Sequence, residues 1–143
     1  MTNSKDAEPS ELPNGWTRSK MHALGDLVCG TSPPTAEVNR VGNGTPYVTG
    51  PEQWDGSVLH MDKWTTMPRK VVGEGYIFIT VKGAGVGKLF PGKPAAIGRD
   101  IYAFKPHEEI DWRFVENALR FTIQEVITQA RGDIPGLSRK HIL

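Results

Sequence analysis

Six consecutive residues, Tyr76-Ile77-Phe78-Ile79-Thr80-Val81, are β-prone and apolar on both faces. A strand with one wet side alternates apolar and polar residues, because successive side chains point to opposite faces of a sheet. This run does not alternate, so it predicts a central strand buried on both sides. A chain holding such a strand must supply cover for it. The C-terminal part offers some: Val115, Ala118, Leu119, Thr122, Ile123, Val126, Ile127 and Ala130 recur at the spacing of a helical stripe. Asp111, beyond Pro106 and beside Glu108 and Glu109, is a good N-cap for that helix, and Gly132 a natural residue to end it.

Shorter elements fill the rest. Pro46-Tyr47-Val48-Thr49 reads as a strand. Ala95-Ala96-Ile97 and Ile101-Tyr102-Ala103-Phe104 read as two more, separated by Gly98-Arg99-Asp100. Met21, Leu24, Leu27 and Val28 have helical spacing and predict a short helix within 19–28, broken by Gly30-Thr31-Ser32-Pro33-Pro34. The expected fold is α+β: a single domain with a short-stranded mixed sheet, many loops and one long C-terminal amphipathic helix. A chain of 143 residues is long enough to bury a real core. Residues 1–11 are polar and acidic and predict a disordered leader, which leaves 12–143 as the domain. No apolar run approaches the ~20 residues that span a bilayer. A lone Cys29 excludes an internal disulfide and reads as a small buried hydrophobe. With no signal or transit peptide, the expected compartment is the cytoplasm.

The net charge of +1 says nothing about a polyanionic partner, but its distribution does. Residues 63–99 carry seven Lys and Arg (Lys63, Arg69, Lys70, Lys82, Lys88, Lys93 and Arg99) against Glu74 alone. Residues 1–62 are net acidic and 100–143 nearly neutral. Charge sorted in this way predicts a positive face on a near-neutral body, the footprint that phosphate backbones reward. The plain alternative is a solvated surface in which the charges intermix.

Catalytic motifs are missing. The loop Lys82-Gly83-Ala84-Gly85-Val86-Gly87-Lys88 invites a nucleotide reading, yet a P-loop needs Gly, four residues, then Gly-Lys-Ser/Thr. Here Lys82 occupies the first glycine position and Leu89 that of the Ser/Thr. The spacing is Gly-x-Gly-x-Gly rather than Gly-x-Gly-x-x-Gly, which excludes a dinucleotide fingerprint. His22, His60, His107 and His141 are scattered, with no second ligand at zinc spacing, so no metal or cofactor is expected. No Glu-x-Lys, Asn-Pro-Pro-Tyr or Gly-x-Ser-x-Gly occurs, which weakens nuclease, amino-methyltransferase and serine-hydrolase readings. The glycine loop is either a tight turn between strands or a patch of bare amides between two lysines, able to approach a phosphate closely. Tyr47, Gln53, Trp54 and Trp64 interleave with the basic stretch and could stack on or read bases, though such residues are more often core.

The chain resembles a target-recognition domain of the type I restriction–modification specificity subunit. The family's Leu-Pro-x-Gly-Trp opening stands as Leu12-Pro13-Asn14-Gly15-Trp16, and its Leu-Gly-Asp as Leu24-Gly25-Asp26. Its Gly-Thr-Pro-Ser-like loop is Gly30-Thr31-Ser32-Pro33, and its strand entering a turn is Tyr47-Val48-Thr49-Gly50-Pro51. The glycine loop after a strand is Ile79 to Lys88, and the alanine–isoleucine segment is Ala95-Ala96-Ile97-Gly98-Arg99-Asp100. The signature exit is Gly132 with Ile134-Pro135-Gly136-Leu137-Ser138. A full subunit of this kind looks like two such domains separated by long helices. The resemblance is to one domain, and the family's Leu-Pro-Pro-Leu segment and coiled-coil helix do not appear before residue 143.

The resemblance implies sequence-specific recognition of double-stranded DNA, one half of a bipartite site, with no catalysis by this chain. Separate methyltransferase subunits would methylate adenine at N6, and a restriction subunit would cleave. No membrane partner is implied. Expected phosphate contacts are Lys63, Arg69, Lys70, Lys82, Lys88 and Arg99, with the backbone of Gly83 and Gly85. Expected base-reading side chains are Thr31, Ser32, Tyr47, Thr49 and Gln53. The alternative is a protein-interaction module that binds the methyltransferase subunit without reading DNA.

Overall fold

The run 76–81 is a strand whose two faces enter two different cores. The computed structural model describes residues 14, 19–83, 85–129 and 137–143. Its first sheet has the order β1 (Gly25–Cys29), β9 (Ile101–Pro106), β6 (Ile77–Thr80), β7 (Leu89–Pro91), antiparallel throughout. β6 is interior to it and every residue of β6 is buried. On one face, Ile77, Ile79 and Phe104 pack with Val115, Leu119 and Ile123 of α1 (Trp112–Gln129). On the other face, Phe78, Ile101 and Ala103 pack with Val48, Val72, Ala95 and Ile97 of a second sheet. The strand period of two therefore divides one apolar run between two layers. The fold is α+β as the sequence predicts, with the short-stranded sheet divided into two, stacked beneath one long helix.

The second sheet has the order β2 (Val38–Asn39), β4 (Trp64–Thr65), β3 (Thr45–Val48), β8 (Ala95–Ile97), β5 (Val71–Val72). It is mixed: β3 and β8 are parallel, and their outer neighbours are antiparallel to them. The predicted strands around Tyr47, Ala96 and Tyr102 are all present. The break at Gly98-Arg99-Asp100 passes the chain from one sheet to the other, since β8 and β9 belong to different sheets.

Helix α1 follows its stripe. Asp111 caps it, with Oδ1 accepting the Arg113 N–H at 2.9 Å. That bond holds the Asp111 carboxyl below its ordinary pKa. Val115, Leu119 and Ile123 are fully buried. Ala130, Gly132 and the exit segment to Gly136 lie outside the described residues, as do the leader and most of Leu12–Trp16. Leu137 is buried in the helix-side core and donates its N–H to the Val81 carbonyl at 2.7 Å. No helix among the described residues is long and apolar enough to cross a membrane.

The helix expected within 19–28 is overturned. Only Met21–Ala23 turns, as a 3-10 turn, and Gly25–Cys29 is strand β1 paired with β9. Leu27 faces the helix-side core and Val28 the core between the sheets, so their adjacency serves strand alternation rather than a helical stripe. Gly25 permits the pairing, because a Cβ there would run into the Lys105 carbonyl. Cys29 is half-buried opposite Tyr102, whose hydroxyl is pushed above its ordinary pKa by burial first and by the neighbouring thiol second.

Candidate nucleic-acid interface

The mixed sheet gathers separated parts of the sequence at one of its ends. β3 and β8 run parallel, so Thr49 and Gly98-Arg99 leave the sheet on the same side. β4 and β5 run the other way, so the residues before them arrive there. Lys63 lies opposite Tyr47, whose N–H it accepts at 2.9 Å, and the Lys70 carbonyl accepts the Ile97 N–H at 2.9 Å. The first sheet joins at the same place. Thr80 pairs with Ile101, and the Val81 N–H bonds the Asp100 carbonyl at 2.9 Å, so the glycine loop leaves β6 next to the link between the sheets. Gly85 completes the junction: a Cβ on it would strike the side chain of Pro51.

Two hollows open at this end, and Thr49 lines both. One, of about 610 Å³, is lined by Thr49, Gly50, Glu52, Lys82, Lys88 and Asp100, with Pro51, Gly83 and Gly85 between them. The other, of about 500 Å³, is lined by Ser32, Tyr47, Thr49, Lys63 and Arg99, with Pro33, Pro34, Thr35 and Val38. Lys82, Lys88, Arg99, Arg69 and Lys70 are exposed, and none forms an ion pair among the described residues. Arg69 and Lys70 sit at the start of the edge strand β5 and line neither hollow. Thr31 is exposed at the rim, with its N–H bonded to the Ile97 carbonyl at 3.1 Å. Ser32 Oγ accepts the Arg99 N–H at 3.2 Å, which ties the two loops together.

Three of the expected contact residues, Tyr47, Gln53 and Lys63, are turned largely inward. Gln53 is only 2% exposed. Its Oε1 accepts the Thr49 N–H at 2.7 Å and the Thr49 hydroxyl at 3.1 Å, and its Nε2 donates to the Tyr47 carbonyl at 3.1 Å. With its carboxamide engaged inside the fold, Gln53 holds the end of β3 and the turn after it together. Lys63 is likewise turned inward, its side chain 17% exposed. Its Nζ donates to Thr49 Oγ1 at 2.8 Å and lies 3.5 Å from Glu52 Oε2.

The glycine loop offers fewer bare amides than its composition suggests. The N–H groups of Val86, Gly87 and Lys88 bond the carbonyls of Gly83, Thr80 and Gly85 at 3.2, 2.8 and 3.0 Å. Gly87 has φ +94°, and its missing Cβ leaves room for Ile127 and Ile123 of α1. The loop is thus a packed turn whose positive charge is carried by the Lys82 and Lys88 side chains. Ala84 lies outside the described residues. Glu52 and Asp100 line the same hollow, and neither is among the contacts that the sequence predicts. Glu52 carried one available signal, its position directly before Gln53 in the turn that follows a strand.

Comparison with known proteins places this architecture. No family model matches the sequence. A curated relative, the type I restriction enzyme MjaX specificity subunit of Methanocaldococcus jannaschii, is 29% identical over 111 residues, covering 73% of this chain and 25% of the relative. The HsdS subunit from Thermoanaerobacter tengcongensis superposes with a TM-score of 0.79 and 25% identity, over 92% of this chain and 32% of that one. The type I restriction–modification S subunit from M. genitalium has the same fold at a TM-score of 0.61 and 19% identity, over 92% and 34%. This chain spans about a quarter of the curated relative and about a third of the solved subunits. In sequence and in fold, the chain is similar to one part of type I restriction–modification specificity subunits, a span consistent with a single target-recognition domain.

Proposed function

We propose that this end of the molecule is a double-stranded DNA interface, and that the chain is the sequence-reading component of a type I restriction–modification system. In this reading it carries no chemistry. It directs an adenine-N6 methyltransferase subunit and a restriction subunit to one half of a bipartite site in the cytoplasm. The observation that supports it is that Lys82, Lys88 and Arg99 line two hollows at the end of the mixed sheet where Arg69 and Lys70 also lead into β5, all five exposed and without ion pairs among the described residues. Such cations would release counterions from the phosphates and set the register. Thr31, Ser32 and Thr49 stand at the hollows or their rim, where side chains could meet base edges, while Tyr47 lines one hollow from a buried position. The direct test is fluorescence anisotropy of the full chain with labelled duplexes across a salt series. Expected is binding whose log affinity falls linearly with log salt, by about 0.9 per phosphate contacted. Absence of binding to any duplex at low salt overturns the proposal.

The solvent side of α1 favours a second role. Phe114 and Phe121 are 55% and 70% exposed and seven residues apart, two turns along one line of the helix and away from the buried stripe. This face would suit the methyltransferase subunit. Loss of co-elution with that subunit on Phe121→Asp, with duplex binding intact, would assign the two roles to two faces.

A further inference from the structure

Two carboxylates, Glu52 and Asp100, line the hollow that Lys82 and Lys88 flank, and Glu52 is the one held on a turn of the mixed sheet. Glu52 is carried on the 3-10 turn Pro51–Gln53, which follows β3 after Thr49 and Gly50. The turn is fixed by the Trp54 N–H bonded to the Pro51 carbonyl at 3.0 Å, and by Gln53, which ties back to Thr49 and Tyr47. The side chain folds back over Gly50, where a Cβ would lie 2.5 Å from Oε1. Oε2 lies 3.5 Å from both Lys63 Nζ and Thr49 Oγ1. Although held at these points, the side chain remains 64% exposed and lines the hollow with Lys82 and Lys88.

Beside phosphates, a carboxylate is repelled, so in a surface built only to hold a backbone this position would favour a neutral or basic side chain. Pairing with Lys63 and Thr49 engages Oε2 alone and leaves Oε1 without a hydrogen-bond partner among the described residues, on a side chain that is largely exposed. An ionised carboxylate only accepts hydrogen bonds. In the major groove, guanine presents acceptors alone and thymine an acceptor and a methyl group. Adenine presents an N6 donor beside the N7 acceptor, whereas cytosine presents the N4 donor with no acceptor beside it. Resting on the DNA reading above, we propose that Glu52 is a specificity-determining residue that accepts a hydrogen bond from the N4 amino group of a cytosine in the major groove. Lys63 and Thr49 hold the carboxylate in place, and the flanking lysines hold the phosphates that bring the base to it.

The test is parallel selection of bound duplexes from a randomised pool by the full chain, unaltered and as Glu52→Ala, Glu52→Gln and Lys82→Ala. The unaltered chain is expected to select cytosine at one position. Glu52→Ala should lose about tenfold of preference at that position and leave the others as they were. Glu52→Gln, which keeps the shape and a partner for Lys63, should shift the position towards adenine, whose N6 and N7 a carboxamide can bond together. Lys82→Ala should weaken binding with every preference retained, so general weakening is distinguished from loss of reading. The same selected sequence from Glu52→Ala and the unaltered chain would overturn the proposal while leaving the DNA interface standing. So would a uniform loss of preference at all positions in a Glu52→Ala protein that unfolds at the unaltered temperature. Failure of the unaltered chain to retain any duplex would overturn the DNA reading and this inference with it.

Discussion

Thr49 and Gln53 are joined twice: Gln53 Oε1 accepts both the Thr49 N–H, at 2.7 Å, and the Thr49 hydroxyl, at 3.1 Å. The same carboxamide donates to the Tyr47 carbonyl, so one buried side chain holds the end of β3 and the turn after it as a unit. Gln53→Ala would remove these bonds and open a cavity at a fully packed position. The expected loss is about 2–4 kcal/mol of unfolding free energy, read from denaturant titration. A loss below about 1 kcal/mol would mean that the turn is held by its backbone alone.

Two glycines of the loop should respond differently to the same change. Gly83 has φ +89° and open space around its absent Cβ. Gly87 has φ +94°, but a Cβ there would lie 2.7 Å from Ile127 Cδ1 and 3.2 Å from Ile123 Cγ2. Gly83→Ala should cost only the backbone strain, about 1–2 kcal/mol. Gly87→Ala adds overpacking against α1, for a total of about 2–4 kcal/mol. Thermal unfolding of both variants checks the order; equal costs would show that α1 yields without penalty.

Lys82 and Lys88 flank the loop and line one hollow, exposed and without ion pairs among the described residues. If both meet phosphates, the double Lys82→Ala, Lys88→Ala change should weaken binding to specific and random duplexes alike. The log–log salt slope should fall by about 2. The measurement is a salt titration of affinity for both duplexes, and an unchanged slope would remove the two lysines from the interface.

Asp55 sits in an exposed turn that it caps itself. Its Oδ1 accepts the N–H groups of Val58 at 2.7 Å and Ser57 at 2.8 Å, and Oδ2 lies 2.6 Å from His60 Nε2. The Val58 bond first, then His60, lower its pKa from 3.8 to about 2. A carboxylate with a depressed pKa favours the folded turn above its ordinary value. That contribution is lost as pH falls through about 2. The carboxyl carbon of Asp55 followed by NMR should titrate near that value, and His60→Ala should raise the midpoint. A midpoint unmoved by the substitution would assign the shift to the backbone bonds alone.

Thr80 ends β6 with its hydroxyl buried and without a hydrogen-bond partner among the described residues. Thr80→Val removes that unsatisfied oxygen at similar shape. The expected gain is about 1 kcal/mol, a few degrees in Tm for a domain of this size. A lower Tm would show that the hydroxyl is solvated in solution.

Local pattern and long-range pairing divided the work in this protein. The central strand was legible in Tyr76–Val81, because a strand covered on both sides needs no polar alternation. The helix was legible in the Val115–Leu119–Ile123 stripe and the Asp111 cap, because helical burial and capping depend on residues within one or two turns. Residues Gly25–Val28 misled, because Leu24, Leu27 and Val28 satisfy a helical spacing as readily as a strand that feeds two cores. Only pairing with β9 at the Gly25–Lys105 approach decides between the two. The basic stretch revealed that cations were present but not which were free. Lys63 and Gln53 read alike with their exposed neighbours until the packing around Thr49 turned them inward. That Thr49, Lys70, Lys82 and Arg99 meet at one end follows from the parallel pairing of β3 with β8 and the link from β8 into the other sheet. Strand order is a property of contacts between residues far apart in the chain, which no local spacing records.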